Sequence, residues 1–282
     1  MRKINWRKQI LTQIVLVVIA LYVILPIWGI ARLAFDGSLV SRPTEFRLIP
    51  KEFSMKSFLE VLDRPYQSVS FGILFKNSLI ASISAALLSL ILGASFAYAL
   101  ARFRFHGRKP LLFILLLTAV IPPIAFATPL YIVLSLFKIR TTLFALILVY
   151  AAFSIPFSIW NMRVAFQAVS RELEEAAYLD GAGEFMTFWN VTLPIALPSI
   201  SVAALISFLM AYSEFAMGWF FVEKPATVTL AMAIYAMVQS GSAQPWSVLG
   251  SLVIIMSIPV VILFVIFQNT LLEKMLFTSG EN

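Results

Sequence analysis

The sequence predicts an all-α protein that crosses a membrane six times. Two observations carry this. Of the 282 residues 61% are hydrophobic and 12% charged, with a mean hydropathy of +0.93, whereas a soluble domain carries about 25% charged residues. The apolar residues also gather into six charge-free runs, and about 20 helical residues cross a hydrocarbon core. The net charge of +7 fits the Lys/Arg bias of cytoplasmic loops better than a nucleic-acid surface, and no nucleic-acid partner is expected.

The runs fall in order at 10–31, 77–101, 111–137, 141–162, about 194–213 and about 248–267. The first is too long for the core of a cleaved signal peptide and has no small-x-small cleavage site after it, so it is expected to stay as the first span. A further apolar run, 225–238, is too short to cross and is expected to be re-entrant or to lie on the surface. The whole of 1–282 reads as one transmembrane domain. It has an N-terminal tail 1–9, an outer loop 32–76, core spans over 77–272 with a polar loop at 163–193, and a C-terminal tail 273–282. Total basic charge is nearly equal on the two sides. Density separates them: Arg2, Lys3, Arg7 and Lys8, then Arg102, Arg104, Arg108 and Lys109, are runs without an acid. This places both termini on the cytoplasmic side of a multi-pass membrane protein.

Within the spans two patterns stand out. Ala81, Ala85, Ser89, Gly93, Ala97 and Ala101 recur every four residues in span two, which suits close helix packing in lipid. Span three holds Pro122, Pro123 and Pro129, and span four Pro156. Such prolines kink a helix and free carbonyls that a bundle or a water-filled cavity must satisfy, which makes Pro122 and Pro123 pathway candidates.

The most informative stretch is polar. EEAAYLDGAGEFMTFWNVTLP, residues 174–194, separates spans four and five. A short helix is expected over 170–181, with Glu172, Glu174 and Glu175 at its positive N-terminal end. Leu173, Ala176 and Ala177 form one small apolar face, and Gly181 stops the helix. A second short helix should carry Phe185, Phe188 and Trp189 on one face, with Pro194 and Pro198 marking entry into span five. Structure of this kind in a connector suits docking into a groove on another protein.

The spacing of Glu175-Ala176-Ala177, Asp180-Gly181, Val191 and Leu193-Pro194 resembles the signature loop of binding-protein-dependent ABC importer permeases. LDGA at 179–182 is similar to the sugar branch. AYALARFRFHGRK (97–109), the stretch 121–160, YSEF (212–215) and IPVVILFVIFQ (258–268) resemble the maltose-type second permease subunit. The resemblance implies the type I importer fold in a bacterial-type cytoplasmic (inner) membrane, with coupling helices between spans four and five. It implies a second homologous permease subunit, two ABC ATPase subunits that bind the ATP, an extracytoplasmic sugar-binding protein, and di- or oligosaccharide import. Glu175, Ala176, Ala177, Asp180, Gly181, Leu193 and Pro194 would form the ATPase-coupling loop. Two places differ from the family: Tyr212 and Ser213 stand where it has Trp and Asn, and the tail EKMLFTSGEN lacks its Gly-rich run.

Glu214 is the one acid expected in or beside a span, and with Tyr212 and Ser213 it is a pathway candidate; an interfacial carboxylate that fixes helix five is the alternative. The outer segment 217–247, with Trp219, Gly241, Pro245 and Trp246, is a candidate contact for a binding protein. His106, the single histidine, reads as solvated. There is no cysteine, no His cluster for a metal and no phosphate-binding G-x-x-x-x-G-K-[ST] loop, so no cofactor and no enzymatic activity of its own are expected. Two other readings stay open: an ABC importer of a glycerol phosphoester or polyamine, and a stand-alone secondary transporter.

Overall fold

A computed structural model describes residues 6–45, 47–240 and 245–279. The helices are α1 (Trp6–Ala34), α2 (Lys56–Asp63), α3 (Phe71–Arg102), α4 (Arg108–Val120), α5 (Ala127–Leu136), α6 (Leu143–Ala168), α7 (Arg171–Leu179), α8 (Glu184–Thr187), α9 (Leu193–Tyr212), α10 (Ala216–Phe221), α11 (Leu230–Gln239) and α12 (Trp246–Ser279). Among the described residues the only β pairing is two isolated bridges. Five helices are long and apolar enough to cross a membrane, and a sixth span results if the bent pair α4–α5 is one. The chain divides into two compact units, Met1–Phe71 with Ile234–Ile258, and Gly72–Ala233 with Pro259–Asn282.

In the first unit, α1 is apolar on every side, and no residue of its central window is buried. A helix hydrophobic all round belongs in lipid or against other chains. Its C-terminal end is fastened. The Ala34 carbonyl accepts from the Ser57 hydroxyl at 2.7 Å and from Ser251 at 3.3 Å. Phe35 stacks on Phe53 with centroids 5.3 Å apart. Asp36, 1% exposed, accepts hydrogen bonds from the Ser38 amide and hydroxyl and from the Lys51 and Glu52 amides. Burial works to raise its pKa, but these bonds together hold it below the ordinary carboxylate value, so the group stays ionised.

In the second unit, α3, α6 and α9 form the core. All six small residues of the period-four pattern in α3 are buried. A Cβ on Gly93 would come 2.8 Å from the Met162 Cε and 3.1 Å from the Ser158 Cβ of α6. One serine from each helix lines up: Ser89 and Ser158 hydroxyls are 3.4 Å apart, Ser158 and Ser207 2.9 Å. At the other end of α3, Asn77 donates to the Ala226 and Val228 carbonyls, and Ser78 accepts from the Leu230 amide at 2.7 Å.

Several expected boundaries shift. The outer loop expected over 32–76 ends before Phe71, because α3 takes in the exposed Lys76; a lysine near a helix end keeps its ammonium in water through its long stem. Span three is not one straight helix. The chain breaks at Ile121 and Pro122, and α4 meets the following helical stretch Pro123–Leu136 at 101°. Pro123 lacks the N–H that would continue α4, so the bend is where the paired prolines put it. Span four runs past Met162 and through Arg163 to Ala168, which shortens the polar loop expected from 163. The candidate span in α12 ends at Gln268, before the tail expected from 273, but the helix itself continues to Ser279. The run 225–238 does not lie on the surface: Val228, Leu230, Met232 and Ala233 are all buried. Its ten-residue helix is too short to cross.

Glycine contacts give a graded prediction. A Cβ on Gly250 would meet the Ala34 backbone nitrogen at 2.8 Å, whereas at Gly93 the nearest atom is the tip of a flexible methionine. Gly250→Ala is expected to destabilise by about 1–3 kcal/mol, the range for overpacking, and Gly93→Ala by less. Thermal unfolding of the two variants in detergent checks the order; equal midpoints refute it.

Candidate functional site

The polar loop begins where α6 ends. Val169 is extended, and Ser170 caps α7 by accepting from the Glu172 amide at 3.3 Å, a preferred N-cap arrangement. Of the two acids in the first turn, Glu172 and Glu174, only Glu174 is buried, at 5% exposure. Its carboxylate accepts from Arg102 Nε at 2.9 Å and from the Thr192 hydroxyl at 2.5 Å. Arg102 Nη2 also donates to the Val169 carbonyl at 2.9 Å. One guanidinium therefore joins the last turn of α3, the α6–α7 joint and, through Glu174, the turn that opens α9. Beside it Tyr98, Phe166 and Phe188 form an aromatic triad with centroids 4.8–5.9 Å apart.

With Glu174 turned inward, the apolar stripe of α7 is turned outward. Leu173 is 49% exposed and Leu179 89%; Glu175 and Ala176 are exposed and Ala177 is half-buried. Gly181 closes α7 at φ +88°. Its amide donates to Tyr178 and the Ala182 amide to Ala177, which is the Schellman pairing that needs a left-handed residue. Asp180, just before it, is exposed. No atom lies within 4 Å of a Cβ built on Gly181, so backbone conformation alone demands glycine there.

The second short helix differs from expectation in two ways. Glu184–Thr187 continues through a π turn, Phe188–Thr192, directly into α9, so one helical stretch runs Glu184–Tyr212. Pro194 lies at its first positions and Leu193 is half-buried beside it. Pro194 has no N–H for the carbonyl four residues back, and a widened turn tolerates that. The three rings stay adjacent, Trp189 lying 6.1 Å from Phe185 and 5.8 Å from Phe188 between centroids, but only one of them turns inward. Phe188 packs into the triad, while Phe185 and Trp189 stand 78% and 51% exposed.

The pathway candidates divide. Pro123 and Glu214 line one cavity of 90 Å³ with Tyr150, Phe153, Ser154, Met210, Ala211 and Met217. That is room for about three waters and far below the several hundred Å³ of a ligand pocket. The Glu214 carboxylate accepts from the Met217 and Gly218 amides at 2.8 and 3.2 Å, fixing the first turn of α10. Tyr150, 2% exposed, carries its hydroxyl close to the Glu214 carboxylate. Tyr212 is buried and stacks on Phe208. The Ser213 hydroxyl is spent on the Leu209 carbonyl, and Pro122 is exposed away from the cavity.

Next to α10, Arg140 pairs with Glu223 at 2.6 Å and sits 4.5 Å over the Tyr131 ring, joining the 138–141 turn to the segment after α10. Trp219 donates to the Met232 carbonyl at 3.2 Å. Gly241 lies outside the described residues. His106 is exposed in the basic loop. Among the described residues no group of three His, Cys, Asp or Glu could hold a metal.

Sequence reasoning placed Glu174 at the positive N-terminal end of its helix, where it lies, and missed its partners Arg102 and Thr192. The only available signal was an arginine closing span two and an acid opening the loop, 72 residues later. Breaking a buried ion pair by removing one partner costs about 3–5 kcal/mol. Glu174→Ala is therefore expected to lower thermal stability sharply, and Glu175→Ala by under about 0.5 kcal/mol, as for an exposed site. Matching unfolding midpoints for the two variants would remove the clamp from this account.

The sequence model of one protein family, described as binding-protein-dependent transport system inner membrane component, matches residues 87–276. The chain is 26% identical over 272 residues to the maltodextrin transport system permease protein MdxG of Bacillus subtilis, covering 96% of this chain and 94% of that one. It is 30% identical over 266 residues to the trehalose transport system permease protein SugB of Mycobacterium tuberculosis, covering 92% of each. In fold it is similar to a chain of a bacterial ABC transporter involved in the import of the acidic polysaccharide alginate. That match has a TM-score of 0.76 at 22% identity and covers 95% of this chain and 98% of that one.

Proposed function

The chain belongs to the family of binding-protein-dependent transport system inner membrane components, and from that premise we propose that it is a membrane-spanning permease subunit of an ATP-driven importer of di- or oligosaccharides. The relatives named for maltodextrin and trehalose transport support the sugar class. In this reading the chain forms half of the pathway beside a second, homologous permease. Two ATPase subunits bind and hydrolyse the ATP, an extracytoplasmic protein delivers the sugar, and both termini face the cytoplasm. The chain itself holds no cofactor and carries out no covalent chemistry.

The observation that carries the reading is the outward apolar stripe of α7, with Leu173, Ala176 and Leu179 uncovered while Glu174 beneath it is tied to Arg102 and Thr192. An exposed apolar face is costly in water unless a partner covers it, and a firmly anchored one transmits what the partner does. Glu175, Asp180 and Gly181 shape the contact, and Leu193 and Pro194 begin the helix it moves.

Extraction in mild detergent, followed by mass spectrometry of what accompanies the chain, tests the partners. A second permease and an ATPase are expected with the wild type. Recovery of the ATPase should fall by about tenfold with Glu175→Lys, equivalent to a loss of about 1.4 kcal/mol in affinity. A chain that purifies alone, and transports in liposomes without ATP, overturns the proposal. The identity of the solute follows from the ligand of the accompanying binding protein.

Gly181 offers a separate test. The left-handed conformation costs an L-residue about 1–2 kcal/mol, least for Asn and most for a β-branched side chain. Sugar transported per ATP should drop in Gly181→Val and be largely retained in Gly181→Asn. Wild-type coupling in Gly181→Val sinks the assignment of Gly181 to coupling.

A further inference from the structure

Beyond the pathway and the α7 loop, one cavity is lined by a buried arginine whose Nε has no acceptor among the described residues. It lies in the first unit, just past the end of α1, has a volume of 190 Å³ and is mostly polar. Four cations line it, Arg32, Arg42, Arg47 and Lys51, against two acids, Asp36 and Glu45. The acids are engaged. Asp36 accepts from three backbone amides and a hydroxyl, with Arg32 at 3.8 Å. Glu45 pairs with Arg47 at 2.5 Å. Arg32 is only 8% exposed, and its Nε is buried without any acceptor. A buried guanidinium N–H left unpaired is unfavourable, and a guanidinium is shaped to take two oxygens of one anion. Arg42 and Lys51 stand exposed at the mouth, positioned to add charge.

The setting identifies the anion's source. Residues 47–51 are laced to the last two turns of α1. Arg32 Nη1 donates to the Arg47 carbonyl at 2.9 Å, and Trp28 Nε1 to the Leu48 carbonyl at 2.7 Å. Trp28 lies one turn deeper along α1 than Arg32, about 6 Å. The loop therefore dips toward the bilayer at Leu48 and Ile49, whose side chains are 59% and 74% exposed. Tryptophan at this level is a membrane-interface residue. An exposed apolar tip beside a basic cavity, at the end of a helix with no protein cover, matches a headgroup with its acyl chains below.

We propose that this cavity binds the phosphate of a phospholipid headgroup, with Arg32 and the Arg47 region forming its floor and Arg42 and Lys51 its rim. The site concerns the chain's seating in lipid and rests only on its being a membrane protein, so it stands or falls separately from the importer reading.

The test uses the full chain, extracted with its bound subunits and stripped of loose lipid, then titrated with phosphatidylglycerol and followed by native mass spectrometry. One tightly held phosphatidylglycerol per chain is expected. Arg42→Gln and Lys51→Gln, both at exposed positions, should each weaken it by about fivefold, the equivalent of one basic residue near an anionic surface. Inorganic phosphate at the same concentration should leave the lipid in place. Absence of a retained lipid, or wild-type retention in both variants, overturns the site. Displacement by inorganic phosphate overturns the lipid assignment in favour of a soluble anion.

Discussion

The polar-loop half of the second unit depends on one buried charge pair. Arg102 and Glu174 are 9% and 7% exposed in their side chains, and each satisfies its remaining capacity on a different element, Val169 for the arginine and Thr192 for the carboxylate. A pair in such surroundings adds little net stability compared with an apolar replacement, yet losing one member is severe. Its value is geometric. Helices in lipid have weak reasons to choose one rotation over another, and a directional, fully bonded charge pair supplies one. The orientation of α7, and hence which of its faces is left uncovered, follows from Glu174 pointing in.

The second constraint is closeness of backbones. Small side chains along α3, with Gly93 against Met162 and Ser158, bring α6 near enough for the three-serine line Ser89–Ser158–Ser207. Where hydrophobic burial does not discriminate protein from lipid, such contacts and hydrogen bonds do the selecting.

Much of this was legible in the sequence, for physical reasons that also explain what was not. Spans are readable because lipid tolerates few charges in its core, so five long helices fall where the apolar runs lie. The stop at Gly181 was readable because only a residue free of Cβ suits the left-handed turn there. The ion pair was not, because Arg102 and Glu174 are far apart in the chain and an acid beside a helix start has a ready local explanation. The aromatic neighbours were legible from their spacing, but which ring turns inward was not: Phe188 alone of the three packs on Tyr98 and Phe166, which belong to other helices. Span three shows a third kind of limit. Prolines announce a break, but their residue type does not encode that the two arms stand at 101°. The cavity past the end of α1 was hidden because its basic residues are interspersed with acids along 32–51, and only the fold shows which acids are already satisfied.

The fused helix Glu184–Tyr212 carries one more consequence. At 1.5 Å per residue its 29 residues make a lever about 44 Å long, with Phe185 and Trp189 bare at one end and Ser213 and Glu214 following the other. No flexible linker interrupts it. A tilt imposed on the aromatic end has to reappear at the far end, reversed about whatever point the core holds still, and the packed serine at 207 lies much nearer the Glu214 end. If the loop swings as the proposed function requires, leverage of that kind turns a broad movement there into a short displacement beside the small cavity under α10.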